Sequence, residues 1–387
     1  MEKVLFFELR DVCYNSYFYF ERQLGAALKN AGYEVEYFRV GQDGSLADIE
    51  RYVGQTYAAI IECNSNLPKL EMDDDSLYLN HLNGPFVDII LDHPLYHHDM
   101  LKRKIQNFHV ICIDQNHVNY IQAHYPHIKS VNMLTMTGEE YHPLIPYEHR
   151  RLPLLFTGTY TPLAEIADAI EQCPLFVKND TKRLIEIMLA DYSLTIEAAV
   201  MKLSEESDDL ILDNFPLQVQ AFFLADTYLR SYLREKAVLA LSDAGLPLVL
   251  CGAEWEKLIL PAQHNVTLLP GVPYADSFRV MVNAKIVLNV MPLFKAGSHD
   301  RIFSAMLNHC VCLTDSSTYL AEQFSDGENI CFFDSTKPDT LVDYAARLLS
   351  DDSLAMQIAQ KGYQLASAQH TWVNRGADFT TIIKGLV

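Results

Sequence analysis

Over the first third of the chain, apolar positions fall into short, nearly unbroken runs separated by stretches of helical spacing. Residues 2 to 9, Ala58 to Cys63, Phe86 to Leu91, Val110 to Ile113 and Val131 to Leu134 are such runs. Continuous apolar runs of this length read as strands buried on both faces, as in a parallel sheet. Tyr33 to Val40 alternates instead, and is a further strand. Between the first two strands, Tyr14 to Asn30 places Phe18, Leu24, Ala27 and Leu28 on one helical face, and Gly32 stops it. Leu46 to Val53 predicts a shorter helix. Alternating strand and helix over residues 1–145 predicts a Rossmann-like domain. It has no G-x-G-x-x-G turn, so bound NAD or FAD is not expected.

Pro143 to Pro153, with two turns and the basic run His149-Arg150-Arg151, has the composition of a linker into a second domain, residues 146–375. Leu154 to Thr157 is its first strand. Residues 165–243 are then almost entirely helical in pattern, which predicts an insertion before the next strand, Leu248 to Cys251. A short strand at Val266 to Leu268 and a helix at Tyr274 to Val282 follow. The centre of this half is Lys285 to Asp315: an apolar strand, a loop with Pro292 and Gly297, the polar cluster Ser298-His299-Asp300-Arg301, a helix and another apolar strand. Helices at Tyr319 to Phe324 and Leu341 to Leu349, a strand at Ile330 to Phe333 and a helical stretch from Leu354 complete it. Residues 376–387 read as a helical tail that packs back toward the first domain.

Composition narrows the function classes. The 387 residues are 49% hydrophobic and 21% charged, enough for two sizeable cores. Thirty Lys and Arg against fifty Asp and Glu give a formal charge of −20. Phosphate backbones would be repelled, so nucleic acid is not an expected partner, nor is an anionic membrane surface. No apolar run is long enough to span a bilayer. The start, MEKVLFFELRD, reads as a strand and not as a signal peptide. Eight cysteines lie scattered without a C-x-x-C, several in apolar runs, which suits buried reduced thiols in a cytoplasmic protein.

The chemistry-bearing residues sit where strands end. In a strand–loop–helix unit, ligands bind outside the strands' carboxyl ends. Ser298 or Asp300 can cap the helix after the Lys285 strand. Its free N–H groups and the Arg301 fork suit a phosphate, and Lys295 is a second cation. Gly158, just beyond a strand, lets a ligand or helix approach closely; it opens Gly158-Thr159-Tyr160. Gly252-Ala253-Glu254-Trp255 follows the next strand. In the first half, Glu8-Leu9-Arg10-Asp11 with Tyr14 and Asn15 leaves the first strand. Asp92-His93-Pro94, with Tyr96, His97, His98 and Asp99, leaves another. A histidine so placed suits proton transfer or sugar hydroxyls. Metal binding by His93, His97 and His98 is the minor reading, because nothing in the spacing fixes three converging ligands. The acidic run Asp73-Asp74-Asp75 reads as solvated surface.

Two Rossmann-like domains with a long closing helix resemble the GT-B fold: an α/β architecture of two such domains facing a cleft, here with a helical insertion in the second. In order, LVLCGAEWEK, VTLLPGVPYADSF, AKIVLNVMPLFKAGSHDRIFSAMLNHCVCLTD, LAEQFSDGENICFFD and QHTWVNR resemble bacterial glycosyltransferases of the CgeB type, among the wider group 1 glycosyl transferases. The resemblance covers about residues 153 to 375. It implies a nucleotide-sugar as donor substrate, no cofactor and no metal. Gly158 and Thr159, with Tyr160 beside them, would face the diphosphate, and Gly252 and Glu254 would line the nucleotide pocket. Gly297, Ser298, His299, Asp300 and Arg301 would hold diphosphate and sugar, with Thr314 and Asp315 near them. The family's two glutamates flanking this loop are Ala296 and Ser304 here, and its glycine after the helix is Asn308-His309. Ser304 could still bond ribose. His93 or Asp11 would be the base of an inverting reaction, and Arg301 the stabiliser of the leaving phosphate. The acceptor would be a glycan, a protein or a lipid-linked group, and self-association stays open. A nucleotide-sugar epimerase and a non-catalytic nucleotide or sugar binder are the alternatives.

Overall fold

The computed structural model describes residues 2–9, 13–41, 45–46, 48–206, 214–260, 265–291 and 293–386. Asp11, one candidate base, and Pro292 lie outside the described residues. The chain divides into two compact units, Met1–Met136 with Trp372–Val387, and Thr137–Thr371.

In the first unit, β1 (Lys3–Glu8), α1 (Ser16–Asn30), β2 (Glu34–Arg39), β3 (Ala59–Cys63), β4 (Phe86–Ile90), α2 (His98–Leu101), β5 (Phe108–Cys112), α3 (Gln115–His124) and β6 (Ser130–Met133) follow in order. The strands pair in parallel as β2-β1-β3-β4-β5-β6. β3, β4 and β5 are buried along their whole length, which is why their sequences show no alternation. The helix expected over 46–53 is only a 3-10 turn at Ile49–Tyr52, preceded by Asp48 in the left-handed region (φ 67°). α1 begins at Ser16 because Cys13, Tyr14 and Asn15 are all left-handed (φ 51°, 62° and 70°) and helical pattern cannot act there.

The second unit starts with β7 (Leu152–Thr157) and then carries α4 (Leu163–Glu171), α5 (Leu175–Ala190), α6 (Ile196–Glu206), α7 (Phe215–Ala221) and α8 (Phe223–Asp243). Pro162 and Pro174 stand at the N-caps of α4 and α5, where a missing N–H costs nothing. Next come β8 (Leu248–Cys251), β9 (Val266–Leu269), α9 (Tyr274–Met281), β10 (Ala284–Asn289), α10 (Asp300–Leu307), β11 (Val311–Asp315), α11 (Thr318–Gln323), β12 (Cys331–Phe333), α12 (Pro338–Ser350) and α13 (Asp352–Gln369). The parallel order is β12-β11-β10-β7-β8-β9. Leu154, Phe156, Ile286, Leu288, Val311 and Leu313 form the middle of its core, closed by Ala345, Ala355 and Ile358 from α12 and α13. α14 (Trp372–Lys384) belongs to the first unit. It lies so close to α1 that a Cβ on Gly376 would stand 2.4 Å from that of Ala27, while Trp372 meets Tyr19 and Phe20.

Candidate active site

In the second sheet the strand sequence reverses direction at β7 and β10, which are neighbours although β8 and β9 follow β7 in the chain. Open α/β sheets bind ligands at such a switch point, outside the carboxyl ends. Arg301, in the first turn of α10, spans it. Its Nε donates to Thr157 Oγ1 at the end of β7 (2.9 Å) and its Nη1 to Asn289 Oδ1 at the end of β10 (2.8 Å). Asn289, fully buried, donates to Thr314 Oγ1 at the end of β11 (3.0 Å). One guanidinium is thus held by two neighbouring strand ends and, through Asn289, by a third. Its Nη2 lies over Gly158, where a Cβ would be 3.5 Å away.

Glycines let the neighbouring turns close up. A Cβ on Gly252 would sit 2.0 Å from the Gly158 carbonyl oxygen, so only glycine permits this approach of the β7 and β8 ends. The same carbonyl accepts the Trp255 indole N–H (2.7 Å), and Tyr160 stacks on that indole. Glu254 is half-buried, left-handed (φ 69°) and paired with Lys257. Thr159 is exposed.

The loop before α10 is tightly bonded. Gly297 and Ser298 are buried; the Gly297 carbonyl accepts from Ser317 (2.7 Å), and Ser298 donates to the His299 carbonyl (3.1 Å). Neither Ser298 nor Asp300 occupies the N-cap expected of it: His299 does, without a side-chain cap bond. The Asp300 carboxylate accepts from the Tyr274 hydroxyl (2.6 Å), and burial raises its affinity for a proton against that bond and Arg301. Burial, then the charges of Arg301, Arg234 and Arg230, hold the His299 imidazole well below its usual range and so neutral. Asp315 is buried, accepts from the Met291 N–H (2.7 Å), and is pushed up to about 6 by that burial. Thr314 and Asp315 therefore brace the loop from beneath. Lys295 places its ammonium 3.2 Å from the centre of the Tyr192 ring.

The first unit gathers a second polar group. Its strand sequence reverses at β1 and β3, and β3 ends in the left-handed pair Asn64 and Ser65 (φ 58° and 57°). The Asn64 amide bonds the Tyr17 hydroxyl, donates to Asp92 (3.1 Å) and accepts from the Leu91 N–H (2.8 Å). Sequence reasoning missed Asn64; its signal was an Asn-Ser-Asn run, tolerant of left-handed backbone, at the end of an apolar strand. His93 is buried and its Nδ1 accepts from the Leu95 N–H (3.0 Å). With Nδ1 engaged in that bond, Nε2 is the ring nitrogen left for proton transfer or a sugar hydroxyl. Asp92 accepts from the Asn64 amide. The three histidines of the metal reading do not converge: His98 Nδ1 turns to the Tyr125 hydroxyl (2.9 Å). Glu8 is an ion-pair anchor for Arg22 and Arg39.

Comparison with known proteins supplies the architecture's relatives. Residues 230–381 match the family model described as glycosyl transferase-like. Sucrose-phosphate synthase from Thermosynechococcus elongatus superimposes with a TM-score of 0.58 at 11% identity, covering 100% of this chain and 99% of that one. T4 phage BGT in complex with its UDP-glucose substrate gives 0.59 at 12%, with the same coverage. Anabaena HepE in complex with UDP-glucose gives 0.52 at 13%, covering both chains completely. No curated protein matches by sequence. The fold is that of the GT-B glycosyltransferases.

Within that fold, the departures from the group 1 pattern have structural counterparts. Ser304 is fully buried, its hydroxyl donating to the Asp300 carbonyl (2.9 Å) under Gly138, where a Cβ would meet it at 2.0 Å. It is a packing residue and does not present a hydroxyl for ribose. Asn308 donates to the Glu139 and Ser304 carbonyls and accepts from the Tyr141 N–H, tying residues 139–141 to α10. His309 takes a left-handed position (φ 55°) after α10, compensated by stacking on Tyr363 at 3.7 Å.

Proposed function

We propose that the protein transfers a glycosyl group from a nucleotide-sugar donor whose diphosphate is bound by the second unit. The observation that carries this reading is Arg301, fixed by Thr157 and Asn289 at the β7–β10 switch point and in the first turn of α10. Breaking the sugar–phosphate bond puts negative charge on the leaving diphosphate. A pre-oriented guanidinium and the N–H groups of a helix start oppose that charge without reorganising, which is the largest single contribution in many enzymes. Two structural relatives are described with UDP-glucose, so UDP-sugars are the first donors to test. His93, through Nε2, binds a hydroxyl in this reading, and Asn64 with Asp92 forms a second polar site for the acceptor or sugar.

The test is a thermal-shift panel of UDP, GDP, dTDP and CMP with their common sugars, followed by donor consumption. A ligand at about 100 times its dissociation constant raises stability by roughly 2.7 kcal/mol. A melting shift with one nucleoside diphosphate and slow hydrolysis of its sugar is the expected outcome; no shift with any member of the panel overturns the reading. Ala296 and buried Ser304, which offer no carboxylate where the resembled family has two, favour one rival: a nucleotide binder that never turns over. It would give the shift and no product.

A further inference from the structure

The basic run His149-Arg150-Arg151, a linker signature in the sequence, divides in the structure. His149 and Arg151 are exposed, whereas Arg150 is only 8% exposed. Its Nε donates to the Ile145 carbonyl (3.2 Å), and its Nη1 to the Ala284 and His309 carbonyls (2.8 Å each). Among the described residues no carboxylate pairs with it, and its Nη2 has no hydrogen-bond partner. The carboxylates of the surrounding segments are taken: Glu140 accepts from the Tyr363 hydroxyl (3.3 Å) and Asp352 from the Lys285 ammonium (2.8 Å). A buried charge is ordinarily matched by an opposite one, and Arg150 has only neutral dipoles. It lines a cavity of about 310 Å³. Ile145, Pro146 and Tyr147 from the linker form one wall, and Met356 and Ala359 from α13 form another. The carbonyls that hold Arg150 place this cavity at the amino ends of β10 and β11. Asn289, which bonds Arg301, ends β10 about 16 Å further along the strand.

We propose that this cavity binds a small carboxylate with an apolar body, the carboxylate on Arg150 Nη2 and the body between the linker and α13. The volume is that of about ten water molecules, room for a short chain or a single ring. The walls are apolar, which favours burying the body of such a ligand. One uncompensated cation balances a monoanion. Lys285, whose ammonium stands 5.0 Å from the centre of the Tyr147 ring, is already neutralised by Asp352. A phosphate dianion would therefore bring a second negative charge that no cation here meets, among apolar side chains. The site lies at the opposite end of β10 from Arg301 and does not depend on the donor reading.

The experiment is calorimetric titration of the full chain with octanoate, with octanol and with inorganic phosphate. Wild type is compared with Arg150→Gln and Gln360→Glu. Gln360 is an exposed residue of the cavity lining, so its variant adds a negative charge there without disturbing the core. Wild type is expected to bind one octanoate per chain, about tenfold or more tighter than octanol, and phosphate more weakly than either. Both variants should bring octanoate down to the octanol level and leave octanol as in wild type. No octanoate binding, equal affinity for octanoate and octanol, phosphate bound as tightly as octanoate, or octanoate affinity unchanged in the variants overturns the proposal. Should Arg150→Gln fail to fold, since three backbone carbonyls lose their donor, Gln360→Glu decides, because its carboxylate must repel that of the ligand and spare the alcohol.

Discussion

Arg301 shows how one side chain can be both held and useful. Two of its nitrogens are committed to Thr157 and Asn289, and that commitment orients the third over Gly158. Replacing it with glutamine removes charge and fork together. Arg301→Gln is expected to lower donor turnover by about 100- to 1,000-fold with unchanged far-ultraviolet dichroism; turnover within a few-fold of wild type would remove Arg301 from the site. Gly252 makes the opposite kind of contribution, by having no side chain. A methyl group there meets the Gly158 carbonyl at 2.0 Å, so the β7 and β8 ends must separate. Gly252→Ala is expected to cost about 2 to 4 kcal/mol in urea unfolding, within the range for forced overpacking and backbone strain. An unchanged midpoint would mean the turns give way without effect.

At the scale of elements, most strands were legible because burial on both faces leaves a strong composition signal, as in Phe86–Ile90 and Val311–Asp315. The insertion was legible as helix but its docking was not: nothing in its spacing says that α8 packs on Tyr160 and Thr161, since that contact joins residues 70 or more apart. Asn289 was hidden for a similar reason; a lone polar residue ending a strand looks like any loop entry until its partners are seen. The capping reading of Ser298 and Asp300 failed because both side chains found other partners, the His299 carbonyl and Tyr274. The end of α10 offers a direct test of how tertiary contacts override a local rule. His309 holds a left-handed backbone and recovers stability by stacking on Tyr363. His309→Ala keeps the strain and loses the stack, and is expected to cost about 1 to 2 kcal/mol. His309→Gly loses the stack and relieves the strain, and should melt above the alanine variant. Equal melting of the two would show that the backbone carries no strain there.

For the whole molecule, buried ionisable groups set opposing slopes of stability against pH. Burial lowers His97 and His109 from 6.5 to about 4. Folded, they stay neutral where the unfolded chain takes up protons. Their contribution is present above pH 6.5 and lost as pH falls toward 4. Burial raises Asp88 from 3.8 to about 7, in a register position opposite Glu62, whose carboxyl is also driven up by burial and by Asp88. Asp315 in the second unit rises to about 6 for the same reason. These carboxyls keep their protons in the folded state, so their contribution is complete below about pH 3.8 and disappears as pH rises through 6 and 7. Asp88 accepts from the Ser65 N–H (3.0 Å) and bonds its hydroxyl (2.5 Å), a pair of contacts that an asparagine can reproduce with its hydroxyl bond reversed. Asp88→Asn should therefore melt close to wild type at pH 4 and above it at pH 8, the gap opening between those values and levelling beyond about pH 7. Thermal unfolding of both proteins at half-unit steps checks this. A gap that stays constant with pH, or that opens toward acid, would mean that Asp88 is ionised in the folded protein, and that the centre of the first sheet holds a charge that its apolar surroundings should not tolerate.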